Sequence, residues 1–172
     1  MTSPALIAKE GDILLIKTNH FVSRLIRFGQ RGYGREAASW NHCGVCIGNF
    51  EIVEALTGGV VRSPIDKYPT ADVRVLKAIS FPDDGKFTTA GDMSMRANSI
   101  AFALSCIGEK YGYATIAAIA LKVLCRGKWN FGVQGTSICS GLAARCLERL
   151  GYNFQPYDPS ELTPAYLFTV LS

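Results

Sequence analysis

The chain has two histidines and six cysteines, and one of each stands where nucleophilic catalysis would use it. The run from Thr136 through Ser137, Ile138 and Cys139 to Leu142 opens the last predicted helix, with Thr136 or Ser137 as N-cap and Cys139 in the first turn. Unpaired backbone N–H groups and the positive end of the helix dipole favour a thiolate there, the nucleophilic form of cysteine. The same amides suit an oxyanion. Position alone also fits a small core thiol.

A nucleophilic thiol needs a base. His42 falls in a predicted strand that ends at Ile47, where its side chain shares a face with Gly44 and Cys46, small neighbours that leave room for a second group. A satisfied structural histidine is the alternative reading. His20, at the start of a surface-like helix, is the weaker candidate for the base. The base in turn needs a partner that fixes its tautomer and stabilises its cation. Glu54 is the nearest carboxylate on the next strand. If Gly48-Asn49-Phe50 is the hairpin loop, Ile47 pairs with Glu51 and Gly44 with Glu54, which sets Glu54 diagonal to His42 on one face. A loop one residue shorter or longer moves it to the other face.

Other chemistries fit the residues less well. Cys43 and Cys46 have zinc-like spacing, but a zinc site needs a second ligand pair, and only scattered cysteines and His20 remain. A redox CxxC motif begins a helix, whereas this pair lies within a strand with its thiols on opposite faces. The sequence contains no phosphate-binding glycine loop, HExxH or GxSxG. Neither a metal nor an organic cofactor is expected.

The elements that must position these groups read as strands first and helices second. Gly11 to Lys17 is a strand, Asn19 to Gln30 a short helix, and Gly29, Gly32 and Gly34 mark a mobile Arg/Gly loop. Ser39 to Ile47 and Ile52 to Leu56 are predicted as antiparallel neighbours, with Val60-Val61 and Val73 to Ile79 as further strands. A turn at Pro82 to Gly85 leads to helices over Asp92 to Ile107, Tyr113 to Leu124 and Ile138 to Leu150. The order predicts an α+β fold.

Length and composition, 172 residues with 48% hydrophobic and 19% charged, predict one globular domain over residues 1–172. The net charge of +4 is spread out, with mild clusters at Arg24, Arg27, Arg31 and Arg35 and at Arg126 and Lys128. No nucleic-acid motif accompanies them, so no nucleic-acid partner is expected. The N-terminus lacks a signal-peptide pattern, which predicts a reducing, cytoplasmic setting with free thiols. The longest apolar stretch, Ala114 to Leu121, is well short of the ~20 residues that span a bilayer.

Taken together, Gly11-Asp12 opening a strand, Asn41-His42-Cys43-Gly44 within one, Val53-Glu54-Ala55 after it, Gly108 to Tyr111, and Cys139-Ser140-Gly141-Leu142 opening a helix resemble the permuted papain-like amidases and peptidases of the NlpC superfamily. The order His, Glu, Cys is the permuted one. The likeness runs from Gly11 to Thr163-Pro164. It implies a permuted papain-like fold, an antiparallel sheet packed against the nucleophile's helix. It also implies a Cys139/His42/Glu54 triad, and a substrate groove near Tyr111 with Asp12 and Ser140 as further substrate-binding positions. Ile138, where the cell-wall enzymes of this superfamily have aspartate, departs from their pattern.

The expected reaction is acyl transfer to water through an acyl-enzyme, on a cell-wall peptide or other small amide. Lipid acyl transfer or deacylation, as in the lecithin retinol acyltransferase branch, is the alternative chemistry. A catalytically silent binding or virion assembly module is the non-enzymatic one. A cell-wall substrate would call for release by lysis or for a phage particle, with tail or virion proteins as partners.

Overall fold

The computed structural model describes residues 8–19, 21–79, 89–111 and 136–172. The expected turn at Pro82 to Gly85, the helix over Tyr113 to Leu124, His20 and Cys125 lie outside these residues. The chain is α+β, built on a five-stranded antiparallel sheet of order β4-β3-β2-β1-β5. These strands are β1 (Ile13–Ile16), β2 (His42–Gly48), β3 (Glu51–Leu56), β4 (Gly59–Pro64) and β5 (Val73–Leu76).

All four residues of β1 are buried, because both faces of the sheet are covered. A strand covered on both sides reads as an unbroken apolar run, as Ile-Leu-Leu-Ile does. One face carries Ile13, Leu15, Cys43, Val45, Val53 and Ala55 into the main core. The helices α3 (Thr89–Ser105) and α4 (Cys139–Glu148) meet it there through Ala103, Leu142, Ala143 and Leu147. The opposite face carries Leu14, Ile16, Cys46 and Ile52, which pack on Ile65 and Tyr68. Those last two residues belong to a strap that leaves β4 through a 3-10 turn at Ile65–Lys67.

Between β1 and β2 the chain forms α1 (Phe21–Gly29), a 3-10 turn at Arg31–Tyr33 and α2 (Arg35–Ser39). The expected mobile Arg/Gly loop is therefore helical, and Ser39 ends a helix instead of opening a strand. Buried Gln30 ties this region down: its Nε2 donates to the Trp40 carbonyl at 2.8 Å, and its Oε1 accepts from Ala165 N at 2.9 Å. Ala165 lies in the last helix, α5 (Pro164–Leu171), which is capped by Thr163. A short parallel pair, β6 (Lys110–Tyr111) with β7 (Thr136–Ser137), forms a second, two-stranded sheet beside β4. Among the described residues no helix is long and apolar enough to cross a membrane.

The β2–β3 hairpin decides which face receives Glu54. Asn49 and Phe50 have φ of 50° and 60°, the left-handed pair of a two-residue hairpin turn whose twist suits the flanking strands. Gly48 pairs with Glu51, so the expected Ile47–Glu51 pair is absent. Unbroken pairing from there would set Val45 opposite Glu54 and turn the carboxylate into the apolar core. A bulge between Cys46 and Gly48 absorbs the extra residue and restores Gly44 opposite Glu54.

Candidate active site

His42 is the first residue of β2, and Glu54 lies diagonal to it on the strap-covered face. Its Nε2 is 2.6 Å from Glu54 Oε2, with the carboxylate fully buried and the imidazole side chain only 10% exposed. The Cys139 thiol and the same ring perturb each other's titration through hydrogen bonding and charge, His42 upward and Cys139 downward. With Nε2 committed to Glu54, Nδ1 is the nitrogen left for the thiol. Cys43, next to His42 in sequence, projects to the helix-covered face, and its hydrogen bonding is the largest influence lowering Cys139. Three residues widely separated in the chain thus meet in the order carboxylate, imidazole, thiol.

Packing, not capping, sets Cys139 in place. The N-cap of α4 is Ile138, with no side-chain hydrogen bond, and Thr136 and Ser137, the expected caps, belong to β7. A missing cap costs about 1 kcal/mol. Burial of a Leu side chain is worth about 1.5–3 kcal/mol, and both Leu142 and Leu147 are buried. An apolar N-cap also supplies no side-chain acceptor to the amides of the first turn, where an oxyanion would sit. Ser140 anchors the same turn: its Oγ donates to the Leu162 carbonyl at 2.5 Å. That hydroxyl is committed to the fold, so any contact with substrate would fall to its backbone N–H.

The electrostatics separate Cys139 from its counterparts. Its thiol is lowered by the Cys43 hydrogen bond and, against burial, by the hydrogen bond and charge of His42. Burial would push His42 down, but Cys139 and then Glu54 outweigh it and raise the imidazole from 6.5 to about 9. Burial likewise works against the Glu54 carboxylate, yet His42, Ser63 and Tyr68 hold it at about 2. The buried thiols of Cys43, Cys46, Cys106 and Cys146 are all raised, the last to about 12, with burial the largest cause in each. Among the described residues Cys139 is the one cysteine displaced toward the thiolate. At neutral pH these directions favour a thiolate–imidazolium pair beside an ionised carboxylate.

Three further positions expected at the site are Asp12, Ser140 and Tyr111. Asp12 precedes β1 at the end away from Ile16, the residue paired with His42, a separation of about 13 Å along the strand. Its buried carboxylate accepts from Lys9 N at 2.8 Å, Lys77 Nζ at 2.9 Å and Ala78 N at 3.1 Å. Those contacts make it a clasp between chain segments. Ser140 is an anchor, as above. Tyr111 is described through its backbone, which pairs with Ser137 in β7, two residues before Cys139.

The sequence reading passed over the strap. The Tyr68 hydroxyl donates to Glu54 Oε2 at 2.6 Å, and Lys67 Nζ lies 3.0 Å from Oε1. Burial and then Glu54 raise the Tyr68 phenol, so it stays a donor. A buried carboxylate on a sheet face must find such partners, a signal that Glu54 itself carried. No protein-family model matches the sequence, and no curated protein sequence does either.

Proposed function

We propose that the chain is a cysteine hydrolase of permuted papain-like fold, in which Cys139 attacks an acyl carbon, His42 shuttles the proton and Glu54 orients and stabilises the imidazolium. The observation that carries this reading is the placement of His42 between a fully buried carboxylate and the thiol of a helix's first turn. A structural histidine needs a partner for each nitrogen, but it does not need a nucleophile at one and a carboxylate at the other. The resemblance in motif order adds the permuted fold and a peptide-type substrate, with an amide in a cell-wall peptide or other small peptide as the bond cleaved.

The reaction follows from the residues. His42 holds the proton released by Cys139, and the thiolate adds to the carbonyl carbon. The resulting oxyanion takes hydrogen bonds from the first-turn amides of α4. His42 returns its proton to the leaving nitrogen as the C–N bond breaks, giving a thioester. Water then gives a proton to His42 and its oxygen to the thioester, which releases the acid and restores the ion pair.

The test is rate measurement on the purified protein with peptidoglycan fragments, acyl lipids and activated thioesters. Cys139→Ala should abolish turnover while the fold survives, because only one sulfur is removed. Full hydrolytic activity in that variant would reject the mechanism, and preference for acyl lipids would move the substrate to the lipid class.

A further inference from the structure

Glu54 is filled from two sides: Oε2 receives His42 and the Tyr68 hydroxyl, while Oε1 receives the Lys67 ammonium at 3.0 Å. A thiol, an imidazole and a carboxylate complete the chemistry proposed above, so the ammonium needs its own explanation. With Cys139 ionised and His42 protonated, the three groups together carry one negative charge. Burying net charge is costly, and an added cation offsets the cost. Lys67 brings the sum to zero.

The surroundings hold the ammonium in place. Ile65, at the start of the same turn, is buried under the sheet with Leu14, Ile16 and Ile52, and its N–H donates to the Phe50 carbonyl at 2.9 Å. Lys67 Nζ also reaches Ser63 Oγ at 3.4 Å and lies 5.2 Å from the Tyr68 ring centroid. Its side chain is 39% exposed, whereas its partner carboxylate is not exposed at all. Exposed ion pairs contribute little because water competes for both members. Here water competes for one member only.

We propose that Lys67 is a positioning residue of this site, a cation fixed behind Glu54 that neutralises the buried Cys139–His42–Glu54 array. The proposal rests on Cys139 being the nucleophile. The groups facing the array are Cys43 of β2, Ser63 of β4, and Lys67 and Tyr68 of the strap. Of these, Lys67 carries the positive charge. Removing a cation makes every nearby proton harder to lose, so thiolate formation at Cys139 moves to higher pH.

The test is the rate of iodoacetamide alkylation at Cys139, followed by peptide mapping between pH 4 and 9, in the full chain. Lys67→Met and Lys67→Gln should shift the thiolate limb upward by about half to one pH unit, a loss of roughly 3- to 10-fold in rate on its acidic side. Lys67→Gln keeps a donor to Oε1 without the charge, and Lys67→Arg should restore the wild-type profile. Wild-type profiles in both uncharged variants would overturn the proposal. So would unfolding of both while Lys67→Arg folds, since that result makes Lys67 a structural ion pair. If Cys139 of the unaltered protein titrates as an ordinary thiol, the nucleophile reading itself falls, and that outcome is read before any variant is compared.

Discussion

Replacement of Glu54 by glutamine tests the electrostatics most directly, because the two sides of the His42–Glu54 contact answer to separate measurements. In the native site the imidazole is raised from 6.5 to about 9 and the carboxyl lowered from 4.5 to about 2. One pH unit corresponds to about 1.4 kcal/mol. A lowered carboxyl stabilises the fold above its unfolded value of 4.5 and loses that stabilisation as pH falls toward about 2. The interval amounts to about 3 kcal/mol of stability that the Glu54→Gln protein should not lose over the same acid range. A raised imidazole has the opposite sign: its contribution is complete below 6.5 and disappears as pH rises through about 9.

Cys139 contributes to the rise ahead of Glu54, so the glutamine variant should bring the imidazole down by on the order of one unit, not all the way to its ordinary value. The chain has only two histidines, which makes an NMR titration of labelled imidazole rings practical, with His20→Gln as the assignment control. A native His42 titrating near 6.5, or one whose titration is unchanged by Glu54→Gln, would refute the argument that the carboxylate stabilises an imidazolium.

Two other outcomes are expected. His42→Ala should slow alkylation of Cys139 at pH 6 on the order of 100-fold, toward the rate of an ordinary thiol, whereas His20→Ala should leave it unchanged; equal rates in the two variants would remove His42 from the site. Asp12→Asn should lower stability by about 2–4 kcal/mol in chemical denaturation, because a buried carboxylate with several donors loses its charge, and should leave Cys139 alkylation intact; a loss of reactivity without a loss of stability would place Asp12 at the site.

What could be read in the sequence was what local pattern dictates. The apolar run of β1, the alternation of β2 and β3, and the α+β order of elements all follow from periodicity, and they brought His42 and Glu54 to one face. The pairing of Gly44 with Glu54 was legible, but the route to it was not. A three-residue loop and a two-residue turn with a bulge give the same register at Gly44, and only the backbone of Asn49, Phe50 and Gly48 distinguishes them. The N-terminus of α4 was misread for a related reason. Thr136 and Ser137 have the chemistry of caps, but pairing with Lys110 and Tyr111 draws them into β7, a long-range contact that no local rule contains.

The strap residues show why the candidate Cys139–His42–Glu54 site is easier to read than its surroundings. Cys139, His42 and Glu54 are conspicuous because their types can do chemistry, whereas Lys67 and Tyr68, in a segment between Pro64 and Pro69, look like any polar turn. Their significance arises only when the turn crosses beneath the sheet and meets a carboxylate that has lost all contact with water. The demand nevertheless originates in the sequence, since a glutamate placed on a covered sheet face requires donors for both oxygens. One oxygen goes to His42 and shares the Tyr68 hydroxyl. The other is satisfied by Lys67, and on the proposed reading, in which the ionised Cys139–His42–Glu54 array is one charge short of neutral, a lysine meets the hydrogen-bonding and the electrostatic requirement together.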